Sequence, residues 1–269
     1  MTSGNRGLRL YTVLYLVFLY LPVLLLPIFS FNDSIYVALP MNGLTLQWWR
    51  EMISQTGMHE ALVNSLIVAI PVAIASTALG LVAVLALSGR QHLPGTPLIT
   101  GLFTLPLVIP YIILGIALLI LFNRSGIGLS LFSVGFGHVI ICTPFALFVL
   151  MSRFEGLDPS LAEAALDLGE TPWMAFWRVT FPIVLPGVIA SLLLTFTISF
   201  DEFLLAFFLT GNDSTLPLYI FSQLRFPAKL PAVLALGSAV LVTTLSLVFV
   251  AERLRRKGVG AATSGIGTE

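Results

Sequence analysis

Apolar residues run along this chain in long stretches broken by short polar segments. Six of these stretches stand out: Leu8–Phe31, Glu60–Ser88, Pro97–Phe122, Gly128–Met151, Ile183–Thr210 and Pro231–Ala251. About 20 apolar residues in a helix cross the roughly 30 Å of hydrocarbon in a bilayer. Within lipid every backbone group needs an internal partner, and runs this long without strict alternation predict helices rather than barrel strands. The expectation is an all-α membrane protein with six transmembrane helices in a single domain spanning residues 1–269. Pro71, Pro106, Pro110, Pro144 and Pro186 lie inside or near the ends of these runs and predict kinks within a packed bundle. Between Leu44 and Ile53 the stretch "LTLQWWREMI" predicts a short amphipathic helix. Trp48 and Trp49 suit either a headgroup-level anchor or a docking surface for an extracytoplasmic partner.

Composition sharpens the class. Of 269 residues, 57% are hydrophobic and 10% charged, against about 25% charged in soluble domains, so a soluble enzyme is excluded. The net charge of +0 gives no electrostatic footprint for nucleic acid. A lone cysteine, Cys142, excludes an intrachain disulfide. The first apolar run is too long for a secretory signal and is expected to stay as an anchor. The basic residues set the orientation. With the N-terminus inside, one side holds Arg6, Arg9, Arg90, Arg153, Arg178, Arg253, Arg255, Arg256 and Lys257, and the other holds Arg50, Arg124, Arg225 and Lys229. Both termini are therefore expected in the cytoplasm, together with the loop between the fourth and fifth spans.

That loop, residues 155–182, is the most patterned polar stretch. In "LDPSLAEAALDLGETPW", Asp158 is placed to cap a helix that has Pro159 at its first position, and Gly169 suits the left-handed residue beyond its end. Thr171 then caps a second helix that opens with Pro172, and Pro182 marks its exit. Leu161, Ala164, Ala165 and Leu168 share one face of the first helix, opposite Glu163, Asp167 and Glu170. Trp173, Phe176 and Trp177 crowd the second, as rigid anchors for a partner or as packing against the loop's own helix ends.

Here the chain resembles the importer permeases of the ATP-binding cassette superfamily. Their signature is EAA, three residues, Gly, nine residues, Ile, one residue and Leu-Pro. Glu163-Ala164-Ala165, Gly169, Val179, Phe181 and Pro182 keep that spacing, with Val for Ile and Phe for Leu. The resemblance implies a type I importer permease in the bacterial inner membrane. Residues 155–182 would then be the coupling segment that docks on an ATP-hydrolysing subunit through Glu163, Ala164, Ala165, Gly169, Trp173, Phe176 and Trp177. It also implies a second, similar permease, a dimer of ATPase subunits that holds ATP and Mg, and an extracytoplasmic substrate-binding protein. The two lysines follow Ala228 and Arg256, so neither forms the Gly-Lys-Ser/Thr of a P-loop, and the ATPase is expected on another chain.

Candidate substrate contacts lie in "TFTISFDEFLL". Charged residues within spans mark function by default. Ser191, Thr195, Ser199 and Glu202 form one polar stripe near the outer end of the fifth run, and Asp201 lies about 100° away. They form either a cation path or a latch closed by Arg225 or Lys229. "SFND" after the first span and "SFDEF" in the fifth are similar to permeases for spermidine and putrescine, in particular the second of the two permeases in that system. Permeases for iron(III), opines and phosphonates share much of the framework. His138 and Cys142, four residues apart, lack a third metal ligand, and core packing is expected for them. A membrane enzyme would cluster catalytic groups at one depth, and a secondary transporter would need no docking helices. Neither pattern is present.

Overall fold

A computed structural model describes residues 3–88, 96–158 and 160–246. Arg90, Pro159, the basic cluster 253–257 and the end of the sixth apolar run lie outside the described residues. The described chain is helical, with an isolated antiparallel bridge between Asn32 and Leu44. It divides into two compact units, Gly57–Tyr219 and a second built from Met1–Thr56 with Ile220–Glu269.

In the larger unit, helix α3 (Thr56–Ser88) matches the second predicted span. The third does not form one straight helix. Helix α4 (Thr96–Thr104) passes into a tight turn at Leu105–Leu107, and α5 (Tyr111–Arg124) restarts at a 102° bend. Pro106 and Pro110 account for the break: each lacks an N–H and pushes the preceding residue away from helical geometry. Helix α6 (Leu131–Phe154) absorbs Pro144 and forms the centre of the unit, burying Val134, Ile141, Leu147 and Leu150. One core joins Val68 and Val72 of α3, Leu118 and Phe122 of α5, and Ile141 of α6. The other joins Val84 and Leu87 of α3 to Leu147 and Leu150. Gly80 makes the α3–α6 crossing close, since a Cβ there would meet Ala146 Cβ at 2.9 Å and Leu147 N at 3.0 Å.

The chain then continues through α7 (Ser160–Asp167), α8 (Pro172–Ala175), a π turn over Phe176–Thr180 and α9 (Phe181–Asp201). Pro182 is therefore no exit. It sits just after the π turn, and helix continues past it over Pro172–Asp201. The fifth predicted span ends earlier than expected, at Glu202. Its backbone leaves helical geometry there (φ −72°, ψ 124°) before α10 (Leu204–Leu209) resumes. Helix α11 (Leu216–Gln223) follows, and its first amide, at Leu216, donates to Ser65 Oγ of α3 at 2.8 Å.

In the smaller unit, α1 (Ser3–Phe29) and the helix over Pro227–Ser246, labelled α12, are apolar enough to span. Among the described residues there are thus five helices of spanning length and a bent pair that makes a sixth. Helix α2 (Gln47–Ser54) carries the tryptophans. Trp48 is buried, and its Nε1 donates to the Asn32 carbonyl at 2.8 Å; Trp49 stacks on Phe31 with centroids 5.4 Å apart. Both rings therefore contact the "SFND" loop. Asn32 closes that loop by accepting from the Asn42 amide at 3.1 Å.

Candidate functional site

Two places in the larger unit concentrate polar chemistry: the segment between α6 and α9, and the break between α9 and α10. In the first, Asp158 Oδ1 accepts from the Ser160 amide at 3.0 Å, which holds the Asp158 carboxyl below the usual carboxylate range. Its capping contribution is present above the ordinary carboxylate pKa and is lost as pH falls through the lowered value. Gly169 ends α7 at φ +92°. The Glu170 amide donates to the Ala165 carbonyl at 3.1 Å and the Gly169 amide to Leu166 at 2.9 Å, the paired bonds of a Schellman motif. Thr171 Oγ1 accepts from the Met174 amide at 3.3 Å and starts α8. Arg178 and Glu170 form an ion pair across the turn.

Of the apolar face read from the sequence of α7, Ala165 alone is buried. Leu161, Ala164 and Leu168 are exposed, as is Glu163 on the other side. Trp173 is 66% exposed and Trp177 43%, while Phe176 is half-buried. These rings form an edge-on cluster with Phe181: Trp173–Trp177 at 5.6 Å, Phe176–Trp177 at 5.2 Å and Trp177–Phe181 at 4.7 Å. The segment therefore presents apolar and aromatic surface from two capped helices.

At the second place, the polar stripe of α9 is buried inside the unit. Ser191 Oγ lies 3.1 Å from Thr77 Oγ1 of α3, and Thr195 Oγ1 donates to the Ser191 carbonyl at 2.7 Å. Ser199 Oγ lies 2.9 Å from His138 Nδ1. Glu202 is 7% exposed, and its carboxylate caps α10, accepting from the amides of Leu204 (2.9 Å), Leu205 (2.8 Å) and Ala206 (3.3 Å). Its Oε2 also lies 3.2 Å from His138 Nε2, off the line of a directed hydrogen bond. Three amide donors and a nearby imidazole offset what it costs to bury a carboxylate in a low-dielectric seam. Asp201, one residue earlier, is exposed.

Ser191 and Ser199 thus meet α3 and α6, Thr195 bonds within α9, Glu202 caps α10, and Asp201 is the exposed acid of the pair. The partner the structure gives Glu202 is His138. His138 is packed in the core as expected (1% exposed), with its ring against Ser199 and Glu202. The signal was in the sequence: an ionisable residue within a span, needing a partner, and a carboxylate in another span needing one too. Cys142 joins the same seam, with Sγ 3.7 Å from the Thr195 carbonyl. Among the described residues no group of three or more His, Cys, Asp or Glu is placed to hold a metal ion.

Comparison with known proteins shows the family of the chain. The family described as "Binding-protein-dependent transport system inner membrane component" matches residues 84–258. The putrescine transport system permease protein PotI of Escherichia coli (strain K12) is 35% identical over 231 residues, covering 83% of this chain and 82% of that protein. The spermidine/putrescine transport system permease protein PotC of the same strain is 32% identical over 246 residues, covering 91% and 92%. Among solved structures, a bacterial ABC transporter involved in the import of the acidic polysaccharide alginate superposes with a TM-score of 0.70 at 14% identity. That match covers 92% of this chain and 97% of the other.

Proposed function

This chain belongs to the binding-protein-dependent transport system inner membrane components, and from that premise we propose that it is the permease subunit of an ATP-driven importer of polyamines such as putrescine and spermidine. The observation that carries the substrate class is its similarity, along most of its length, to the two polyamine permeases. The exposed Asp201 supports it, since a carboxylate near the end of a span attracts a cationic amine and releases it again if held by few other groups.

In this reading both termini and residues 155–182 face the cytoplasm. Glu163, Ala164, Ala165, Gly169, Trp173, Phe176 and Trp177 form the surface that meets an ATPase subunit. A second permease completes the pathway, a dimer of ATPase subunits binds ATP and Mg and hydrolyses the ATP, and an extracytoplasmic protein delivers the substrate. The exposed Leu161, Leu168 and Trp173 support a docking role, because large apolar groups outside the spans are stabilised by a covering partner. The test is uptake of labelled putrescine by cells lacking other polyamine importers, with the chain expressed beside its partner subunits. Uptake should require ATPase activity, and Asp201→Asn should raise KM about tenfold, the loss of one charge-assisted contact. Uptake that persists without the ATPase, or ATP-dependent import of a different solute only, overturns the reading.

A further inference from the structure

Asp201 stands between two residues that approach the two nitrogens of one imidazole. On its N-terminal side, Ser199 in the last turn of α9 lies 2.9 Å from His138 Nδ1. On its C-terminal side, Glu202 lies 3.2 Å from His138 Nε2. Between them the helix breaks, and the Glu202 carboxylate is tied down by the three amides that open α10. A ring that is 1% exposed and planted in the central helix α6 thus touches both sides of the break. The residue between these two contacts faces outward. Imidazole suits such a position because its two nitrogens are fixed on one rigid plane: Nδ1 hydrogen-bonds Ser199, and Nε2 lies against the Glu202 carboxylate without a directed bond.

We propose that His138 is a positioning residue: by holding Ser199 and Glu202 on either side of the α9–α10 break, it fixes the place and direction from which Asp201 meets the transported cation. The proposal rests on the importer reading for its substrate, although the clamp itself is a property of the fold. A latch that merely stabilises the bundle affects how much protein folds. A clamp that aims Asp201 affects how well the folded protein captures its substrate.

The two nitrogens can be separated by substitution. In His138→Asn the shorter amide keeps a group near Ser199 but falls short of Glu202. In His138→Gln the longer amide still reaches Glu202. Both are made in the complete transporter in membrane vesicles and read in two ways. The first is putrescine uptake, resolved into KM and Vmax. The second is the rate at which the thiol introduced by Asp201→Cys, in a Cys142→Ala background, reacts with a cationic methanethiosulfonate. His138→Asn should raise KM about tenfold with Vmax per folded transporter held within about twofold. It should also change the labelling rate of the introduced thiol by about the same tenfold factor, while His138→Gln recovers most of both losses. A His138→Asn variant with less folded protein but unaltered KM and labelling overturns the proposal and leaves a structural latch. If wild-type vesicles take up no putrescine, the polyamine reading alone fails, and the labelling rates then decide the positioning role by themselves.

Discussion

Gly169 offers a sharp test of the docking segment, because conformation and space separate there. Its φ of +92° lies where an L-residue is strained, yet a Cβ built on it meets nothing within 4 Å. Any loss on substitution therefore comes from the backbone and not from a clash. Left-handed geometry costs an ordinary residue about 1–2 kcal/mol; Asn tolerates it best, and a β-branched residue is a true outlier there. That penalty falls on the two bonds that end α7, from Gly169 to Leu166 and from Glu170 to Ala165. A penalty of about 1–2 kcal/mol shifts the ratio of ordered to frayed helix end by about 5–30-fold. Retention of the ATPase subunit on the purified permease, and the rate of ATP hydrolysis in the complex, should fall in the order Gly and Asn, then Ala, then Val. Amount of permease in the membrane should hold steady, since residue 169 lies outside the packed helices. If Asn, Ala and Val lose activity equally, or if Val behaves as wild type, the left-handed turn does not set the docking geometry.

Three further outcomes follow from other contacts. Trp173→Ala should weaken binding of the ATPase subunit by roughly 2 kcal/mol or more, the range of an aromatic anchor, with no loss of unfolding temperature in detergent; lowered stability with intact binding would place the ring in the permease's own packing. Gly80→Val should destabilise the detergent-solubilised protein by about 1–3 kcal/mol, because its side chain must push back the α6 backbone; an unchanged melting temperature would contradict the close crossing. Glu202→Leu should cost about 1–3 kcal/mol of stability by leaving the buried amides that open α10 without their acceptor. Asp201→Leu, with its side chain outside, should cost less than about 1 kcal/mol; equal losses would mean the two acids share one environment.

Much of this was legible in the residues. Run length alone located five spanning helices, because hydrocarbon thickness leaves few other ways to use about 20 consecutive apolar residues. The caps at Asp158 and Thr171 and the turn at Gly169 were legible too, because each meets a local backbone need that few residue types meet. The bend at Leu105–Leu107 was less so. Proline is tolerated within α3, α6 and α9, and only the pairing of Pro106 with Pro110 turns a kink into a bend of 102°. The helix α2 was legible too, but an amphipathic pattern gives a buried side without saying that Asn32 and Phe31 lie against it. Periodicity put Ser191, Thr195, Ser199 and Glu202 on one face of α9, but it does not say that Thr77 and His138 lie against that face. His138, 61 residues from Ser199, became its partner only through tertiary packing.

The π turn over Phe176–Thr180 makes Pro172–Asp201 a shaft of 30 residues with one surplus residue wound into it. Such a shaft is about 45 Å long at roughly 1.5 Å per residue. Removing the surplus would twist everything before Phe176 by about 100° relative to the rest, the angle one helical residue subtends. The turn therefore works like a keyway: it sets the angular phase at which Trp173 stands relative to Asp201 at the far end. A one-residue deletion within Phe176–Thr180 would keep every side chain of both ends and change only their relative bearing.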